Sequence, residues 1–332
     1  MAVITNPINN IPKNKKSHTL GWSKVWEHHL NAVIDHKCSE NILNHDIVYI
    51  DFGANYSGSL NLFGGANQEL FDRLNLVMQC KRVVCLDWPF DLCSSLRKRI
   101  GAKTTYKGFT DEWFDKLEAF EKTVTLLKQN DNIETRTISG ITMGDSHTIA
   151  FSNKNDAVLR NDGKTLYGAL QLGLKTMFRG MTIKGDITLS FGSIDIRHHL
   201  LRQNEWKDSL TKLINKYVKQ GSELERDHGC KVSYAYPVPV EWEGRKIPKS
   251  GFYKDSPFYG SVQERRIITN SFIDELNKHK VNVVAPPSDW YTMDPKAYAE
   301  THMEFGSSFH IAPLYYRRKD FGVTTGHLDV YD

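Results

Sequence analysis

The sequence predicts an α/β protein that contains a doubly wound, mostly parallel sheet and an additional N-terminal α/β domain. Its 332 residues are many for one domain and sufficient for two. Apolar runs of strand length alternate with amphipathic segments of helix length, which is the pattern of parallel α/β folds. The polar stretch 130–138 interrupts this alternation. We therefore expect one domain over residues 1–134 and a second over residues 135–332.

The first domain is predicted to contain two strands and three helices. The apolar runs "DIVYIDFGAN" (46–55) and "KRVVCLDWPF" (81–90) are typical of buried strands, and a loop rich in Gly and Asn follows the first of them. The predicted helices cover residues 68–79, 91–100 and 111–129, the last with apolar residues at spacings of three and four.

The second domain continues the alternation of strands and helices. Gly221 is placed to end its second helix as a C-cap. Ser261 and Glu264 have the spacing of a capping box at the start of its third helix. We expect the strands at residues 141–144, 156–160, 185–195, 230–240 and 281–287, and the helices at 163–178, 205–221 and 261–280.

Composition and charge argue against several classes of protein. A net charge of +4 and a pI near 8.6 are low for a dedicated nucleic-acid-binding protein. No apolar stretch approaches the roughly 20 residues that span a bilayer, and the N-terminus lacks the apolar core of a secretory signal. The five cysteines are odd in number and lack CxxC spacing, which argues against disulfides and zinc. We expect a cytoplasmic protein without a membrane partner or a metal.

The run "ITMGDSHTIAF" (141–151) presents Ser146 where a predicted strand meets the next helix. In an open parallel sheet, the polar side chains that carry out chemistry collect at the carboxyl ends of the strands. A serine at the start of a helix exposes its hydroxyl, and its backbone N–H can stabilise a negatively charged oxygen. The alternative interpretation is that Asp145 or Ser146 is an ordinary N-cap.

Three further loops are expected at the same edge of the sheet. Gly163 follows the strand at 156–160, where a glycine lets the backbone approach a ligand closely. The segment "FGSIDIRHH" follows the third strand, and "SSFHIAPLYYR" (307–317) follows the last. The candidate site residues in these two segments are Gly192, Asp195, Arg197, His198, His199 and His310.

These residues resemble the SGNH, or GDSL-type, serine hydrolase superfamily, whose members carry a Gly-Asp-Ser block, a second-block glycine, a Gly-x-Asn-Asp block and a late Asp-x-x-His. The resemblance covers only short blocks of the second domain, and it implies an SGNH/flavodoxin-like fold. It implies that Ser146 is the nucleophile and His310 the general base. The N–H groups of Ser146 and Gly163 would bind the oxyanion, with Gly168 as the second choice for the glycine.

Two blocks depart from the family pattern. Ile194 in "GSID" stands in place of the asparagine that binds the oxyanion, although "GSIDIRHH" is similar to the GEIDxRxH-like block of one subgroup. The third oxyanion donor is then Arg197 or His199. In the late block, Ser307 stands where the aspartate that orients the histidine belongs.

The missing aspartate has several candidate replacements. We take Asp294 as the first candidate, and Asp289 and Glu304 as alternatives. His302 in "ETHME" is the rival for the general base itself. A Ser–His pair can also function without an acid if another group fixes the imidazole tautomer.

The implied reaction is acyl transfer, by hydrolysis or O-acylation, from a small-molecule or glycan ester, and it needs no cofactor. The long loop 236–260 is rich in proline and aromatic residues and has no periodicity, which is typical of a functional rim, with a structural lid as the alternative. The candidate substrate-binding residues are Asp145, His147, Gly192, Asp195, His199, Trp242 and Tyr253.

Two other functions compete with this one. Because Ile194 and Ser307 occupy positions that the family uses for chemistry, the chain can instead be a decayed hydrolase that binds without turnover. The glycines after the strand at 46–55, and Asp87 at the end of the next strand, are compatible with a Rossmann-like first domain. The third candidate is therefore a nucleotide- or nucleotide-sugar-dependent transferase that modifies sugar or nucleic acid, although GxGxxG is absent. The oligomeric state is not predicted.

Overall fold

The computed structural model of the chain describes residues 1–5, 30, 32–35, 37–51, 68–87, 125, 129–135, 139–153, 156–161, 163–178, 183, 185–242, 255, 258–303, 310–312 and 315. Within these ranges, the residues up to 135 form one compact unit and those from 139 onward form another. Each unit contains a five-stranded sheet whose paired strands are parallel. The prediction of an α/β fold with mostly parallel sheets is confirmed.

The sheet of the first unit has the strand order β2-β1-β3-β4-β5. Its strands are β1 (Ala2–Thr5), β2 (Val33–Asp35), β3 (Ile47–Asp51), β4 (Val83–Asp87) and β5 (Ile133–Thr135). Helix α1 (Gln68–Met78) lies between β3 and β4 in the chain. Its Leu74 and Val77 are fully buried, as are Val48, Ile50 and Val83 in the strands.

The two predicted strands and the first predicted helix of this unit are found as β3, β4 and α1. The strands β1, β2 and β5 were missed, because their three or four residues are neither long enough to show a period of two nor part of a longer apolar run. The predicted helices at 91–100 and 111–129 lie outside the described residues, apart from single positions at 125 and 129.

The sheet of the second unit has the order β10-β9-β8-β6-β7. Its strands are β6 (Gly140–Gly144), β7 (Asp156–Arg160), β8 (Asp186–Ser190), β9 (Val232–Ala235) and β10 (Asn282–Val284). Counted along this unit, the order is 2-1-3-4-5, so the direction of winding reverses between β6 and β8. In open α/β sheets, ligands bind beyond the carboxyl ends of the strands at such a switch point.

Seven helices connect or flank these strands among the described residues. Helix α3 packs against α5, and α5 packs against α6. The helices are α2 (Thr148–Phe151), α3 (Leu166–Leu172), α4 (Leu174–Met177), α5 (Trp206–His228), α6 (Val262–Lys278), α7 (Ser288–Thr292) and α8 (Pro295–His302).

Three local predictions for this unit have a definite outcome in the structure. The helix expected at 163–178 is divided into α3 and α4 at Gly173, whose φ is +92°. The strand expected at 185–195 ends at Ser190, because the chain turns at Gly192 (φ +113°) into a π-helical turn over Asp195–His199. The capping box of Ser261 and Glu264 at the start of α6 is confirmed.

Gly221 is not the C-cap of its helix, which continues to His228 and is capped by Gly229 in the left-handed conformation. A Cβ atom at position 221 would lie 1.8 Å from the hydroxyl oxygen of Tyr234 on β9. The glycine therefore allows α5 to pack closely on the sheet. Sequence alone does not separate this packing role from that of a helix end.

Candidate functional site

The carboxyl ends of β6 and β8 approach each other closely at the switch point. The N–H of Asp145 donates to the carbonyl of Ser190 at 2.9 Å. A Cβ atom at Gly144 would lie 1.8 Å from the same carbonyl oxygen, so only glycine fits there. The segment Asp145, Ser146 and His147 thus begins at the edge where the fold predicts a ligand site.

Local hydrogen bonds fix the conformation of this segment. The Asp145 carboxylate accepts from the backbone N–H of His147 at 2.9 Å, and the Thr148 hydroxyl donates to the Asp145 carbonyl at 2.5 Å. His147 is the N-cap of α2, and its side chain makes no capping bond. Ser146 is 8% exposed, and within the described part of the chain no hydrogen bond engages its hydroxyl. The N-cap interpretation of Ser146 is therefore wrong.

His310 lies beside the residue that follows Ser146. Its ring is buried, and its centroid is 5.4 Å from that of His147 in an edge-to-face arrangement. The bridge between Met303 and Ile311, and the bond from the Ala312 N–H to the His302 carbonyl, hold the neighbouring residues in place. Among the residues that the structure describes, no hydrogen bond joins the Ser146 hydroxyl directly to the His310 imidazole.

Of the predicted acids, one caps a helix, one is exposed and one lies outside the described residues. Asp294 is the N-cap of α8, where its carboxylate accepts from the N–H groups of Lys296 (3.0 Å) and Ala297 (2.9 Å). Asp289 is exposed in the first turn of α7. Glu304 and Ser307 lie outside the described residues.

The rival base His302 belongs to an aromatic cluster. Its ring stacks on Tyr298 and Tyr315 with centroid distances of 5.2 and 4.3 Å, and Trp290 packs against it edge-on. One ring nitrogen lies 2.7 Å from the Thr301 hydroxyl. These contacts are typical of a histidine that packs in a protein interior, not of a general base.

Asp195 places its carboxylate at the N-terminus of α3. It is 2% exposed, and its carboxylate accepts from the N–H groups of Leu166 (2.6 Å) and Tyr167 (3.1 Å). Burial raises its pKa to about 6, against the opposing effect of these two bonds. Asp195 also begins the π-helical turn, a feature that is frequent at functional sites.

The raised pKa of Asp195 predicts a pH-dependent stability. Because the folded protein binds this proton more tightly than the unfolded chain, the stabilising contribution is complete at low pH and decreases as pH rises from about 4 to about 6. Relative to Asp195→Asn, the wild type should lose up to about 3 kcal/mol of unfolding free energy across this window, as measured by urea denaturation.

Asp227→Asn is the control, because the contribution of Asp227 to stability should depend on pH in the opposite direction. The bond from Lys175 lowers the pKa of the Asp227 carboxyl, so this group adds stability as pH rises. A wild-type curve that runs parallel to that of Asp195→Asn at every pH would contradict the assignment.

Arg197 forms a buried ion pair with Glu241. Its Nε lies 2.8 and 2.6 Å from the two carboxylate oxygens, and its Nη1 donates to the Ser193 carbonyl at 3.0 Å. The side chains of Arg197 and Glu241 are 4% and 0% exposed. The guanidinium proposed as an oxyanion donor thus has a carboxylate partner that our sequence analysis missed. The available signal was an acid inside the apolar run "PVPVEW", because a buried acid requires a partner.

The fully buried Arg265 holds the two ends of the long loop together. Its Nη2 donates to the Glu241 carbonyl at 2.9 Å and its Nη1 to the Gly260 carbonyl at 2.5 Å. The Tyr259 N–H donates to the Arg197 carbonyl at 3.1 Å. Residues near both ends of the loop therefore lie next to the π-helical turn.

The remaining predicted site residues lie on several elements. Gly163 is exposed with φ +73°, and the nearby Asn161 N–H donates to the Gly144 carbonyl at 2.9 Å. The Gly168 N–H is already bonded to the Thr165 hydroxyl. His199 is half-buried, and burial followed by the charge of Arg202 lowers its pKa.

The other predicted substrate-binding residues are described only in part. Gly192 lies against Phe272, whose ring would be 2.6 Å from a Cβ atom at that position. Trp242 is half-buried, with the Lys296 ammonium 5.6 Å from its ring centroid. Tyr253 lies outside the described residues.

Tyr217 is a buried neighbour of the site that sequence reasoning did not identify. It comes from the middle of α5 and is 0% exposed. Burial raises its pKa well above the usual value, and the charges of Tyr234, Asp145 and Asp195 act in the same direction. The ring of Tyr217 packs edge-on against Phe191 and Tyr234, an arrangement that depends on how α5 packs on the sheet.

Together these features define an α/β protein with a polar site at the switch point of its second sheet. A comparison with protein-family models, curated proteins and solved structures finds no match to this chain. Among the described residues, no helix is long and apolar enough to cross a membrane. The same residues contain no group of three His, Cys, Asp or Glu side chains that could hold a metal ion.

Proposed function

We propose that this chain is an SGNH-type serine esterase or O-acyltransferase acting on an ester of a carbohydrate-like or other modified small molecule. The observation that supports this most is the position of Ser146. It follows the first strand of a sheet with 2-1-3-4-5 order, at the switch point, and no hydrogen bond within the described residues engages its hydroxyl. His310 lies against the adjacent His147. A hydroxyl and an imidazole are the two groups that acyl transfer requires.

In the proposed reaction, His310 accepts the proton of the Ser146 hydroxyl while the serine oxygen bonds to the ester carbonyl carbon. The N–H groups of Ser146 and Gly163 stabilise the resulting oxyanion. The C–O bond to the leaving alcohol then breaks, and the alcohol takes the proton from His310. Water or an acceptor hydroxyl attacks the acyl-serine and returns a proton to Ser146 through His310.

The distance between Ser146 and His310 must shorten for this transfer. Catalytic hydrogen bonds are often long in a free enzyme and tighten when substrate binds. The bridge between Met303 and Ile311 fixes the backbone next to His310, so in this proposal it is the imidazole side chain that moves. Arg197 is not part of the proposed oxyanion site, because its charge is engaged by Glu241.

A fluorophosphonate probe tests this proposal on the full chain. We expect the wild type to be labelled and Ser146→Ala to be unlabelled, since the probe bonds only to an activated serine. His310→Ala should slow labelling by about 10²–10⁴-fold, which is the usual contribution of a general base. Intact-protein mass spectrometry measures the added mass.

Ser193→Ala is the matched control. Ser193 is also buried near the carboxyl end of β8, and its backbone carbonyl, not its hydroxyl, accepts from Arg197 among the described residues. This variant should be labelled like the wild type. Equal labelling of wild type and Ser146→Ala would refute the proposal, and an unlabelled wild type that binds glycans would support the decayed-hydrolase alternative.

A further inference from the structure

The second unit contains a cavity of about 670 Å³ that does not include the proposed catalytic pair. It is bordered by α3, the π-helical turn and the first half of α5. Neither Ser146 nor His310 lines it. Its volume lies within the range of about 300–1,000 Å³ that is usual for small-molecule sites.

The floor of this cavity is apolar. It is formed by Leu170 of α3, Leu200 after the π-helical turn and Leu213 of α5, which are 2%, 5% and 9% exposed. Tyr167 also lines the cavity and is 62% exposed, an unusual value for such a large ring. An apolar ligand group would cover mainly the exposed ring of Tyr167, together with the small part of the leucine surface that water still reaches.

One wall of the cavity is positively charged. Lys212 and Lys216 lie one turn apart on α5, so both ammonium groups project from the same side of the helix. Neither forms an ion pair with any residue that the structure describes. Elsewhere on the same unit, Lys175 and Lys278 pair with Asp227 and Glu275. The two cavity lysines therefore present a positive charge that a ligand can neutralise.

The acid at the cavity does not neutralise these lysines. The Asp195 carboxylate is directed to the N–H groups of Leu166 and Tyr167 at the N-terminus of α3. No ion pair joins Asp195 to Lys212 or Lys216 in the described part of the chain. The cavity thus combines an apolar floor with a separate cationic wall.

We infer that this cavity binds a small anionic molecule with an apolar body, such as an aryl or acyl sulfonate, carboxylate or phosphate. The apolar body packs on Leu170, Leu200 and Leu213, and the anionic group pairs with Lys212 and Lys216. The inference is independent of the proposed function, since it uses neither Ser146 nor His310.

The test uses 8-anilinonaphthalene-1-sulfonate, which has an aromatic body and a sulfonate, in a fluorescence titration of the full chain. We expect saturable binding to the wild type at one site. Lys212→Gln combined with Lys216→Gln should raise the Kd about tenfold, since partly exposed ion pairs contribute up to about 1 kcal/mol each. Lys212→Arg combined with Lys216→Arg should retain binding.

The matched control combines Lys207→Gln and Lys219→Gln, which removes the same charge from α5 at positions that do not line the cavity. This variant should bind the probe like the wild type. An equal loss in both glutamine pairs, or no saturable binding by the wild type, would overturn the assignment. Concentration-dependent dimerisation that the cavity variant abolishes would also overturn it in favour of a second copy as the occupant. Fluorophosphonate labelling of Ser146 should be unchanged in every lysine variant.

Discussion

Glu241→Ala is expected to lower the free energy of unfolding by about 3–5 kcal/mol, because it leaves the Arg197 guanidinium buried without its carboxylate. The pair is almost completely inaccessible to water, and Nε contacts both carboxylate oxygens. Removing one partner of a buried pair costs more than the pair contributes, since the remaining charge cannot recover its hydration. Urea denaturation followed by tryptophan fluorescence measures the change.

Glu134→Ala is the matched control for this prediction. Glu134 also pairs with an arginine through two bonds, but both partners of the Arg82–Glu134 pair are about half exposed. Its loss should cost less than about 1 kcal/mol. If Glu241→Ala does not fold, the more conservative Glu241→Gln provides the measurement. Similar losses of unfolding free energy in the Glu134 and Glu241 variants would contradict the argument that burial makes the Arg197–Glu241 pair costly to break.

The double variant Arg197→Met with Glu241→Met extends the same test. Replacing both members of a buried ion pair by apolar residues is often neutral or stabilising. We therefore expect the double variant to be more stable than Glu241→Ala. This outcome would show that the cost arises from the uncompensated charge, and it would also separate the ion pair from the loop contacts of Arg265.

Gly144→Ala is expected to destabilise the second unit by about 3 kcal/mol or more. The added Cβ would lie 1.8 Å from the Ser190 carbonyl oxygen and 2.8 Å from the Thr148 hydroxyl. The first of these atoms belongs to the backbone of the neighbouring strand, so no change of rotamer relieves the overlap. The strands β6 and β8 must separate at the position that precedes Asp145 and Ser146. We therefore also expect slower fluorophosphonate labelling in the folded fraction.

Gly229→Ala separates this steric effect from the general cost of replacing a glycine. Gly229 has φ +62°, and no atom lies within 4 Å of a Cβ built there. Its replacement should cost only about 1–2 kcal/mol, from the left-handed conformation alone. Thermal and urea denaturation of both variants give the comparison. A smaller cost for Gly144→Ala than for Gly229→Ala would show that the two strands are not held as closely as described.

The elements that depend on local sequence patterns were predicted from the sequence. The apolar runs of β3, β4 and β6 to β10, and the capping box of α6, depend on neighbours within a few positions of one another. Ser146 and His310 were proposed as site residues from recognisable blocks of sequence, and Ser146 lies just after the end of β6 in the structure. The short strands β1, β2 and β5 were missed, since they are not part of a longer apolar run of the kind that contains β9 and β10.

Contacts between distant elements were not predictable in the same way. Glu241 meets Arg197 across 44 positions, and Asp195 meets Leu166 across 29. Gly221 resembles a helix end in sequence, whereas its role depends on Tyr234 packing from β9. Asp294 is a plausible acid by position along the chain, but the start of α8 uses its carboxylate as a cap.

The sequence by itself determined the α/β fold class of this protein and the position of Ser146 after a strand, because both follow from local hydrophobic patterning and turn chemistry. Only the tertiary structure decided the strand order, the partner of Arg197, the place of Asp195 on the N-terminus of α3 and the lysine-walled cavity. The physical reason is that burial and charge pairing depend on which distant surfaces pack together, and a pattern of neighbouring residues does not contain that information.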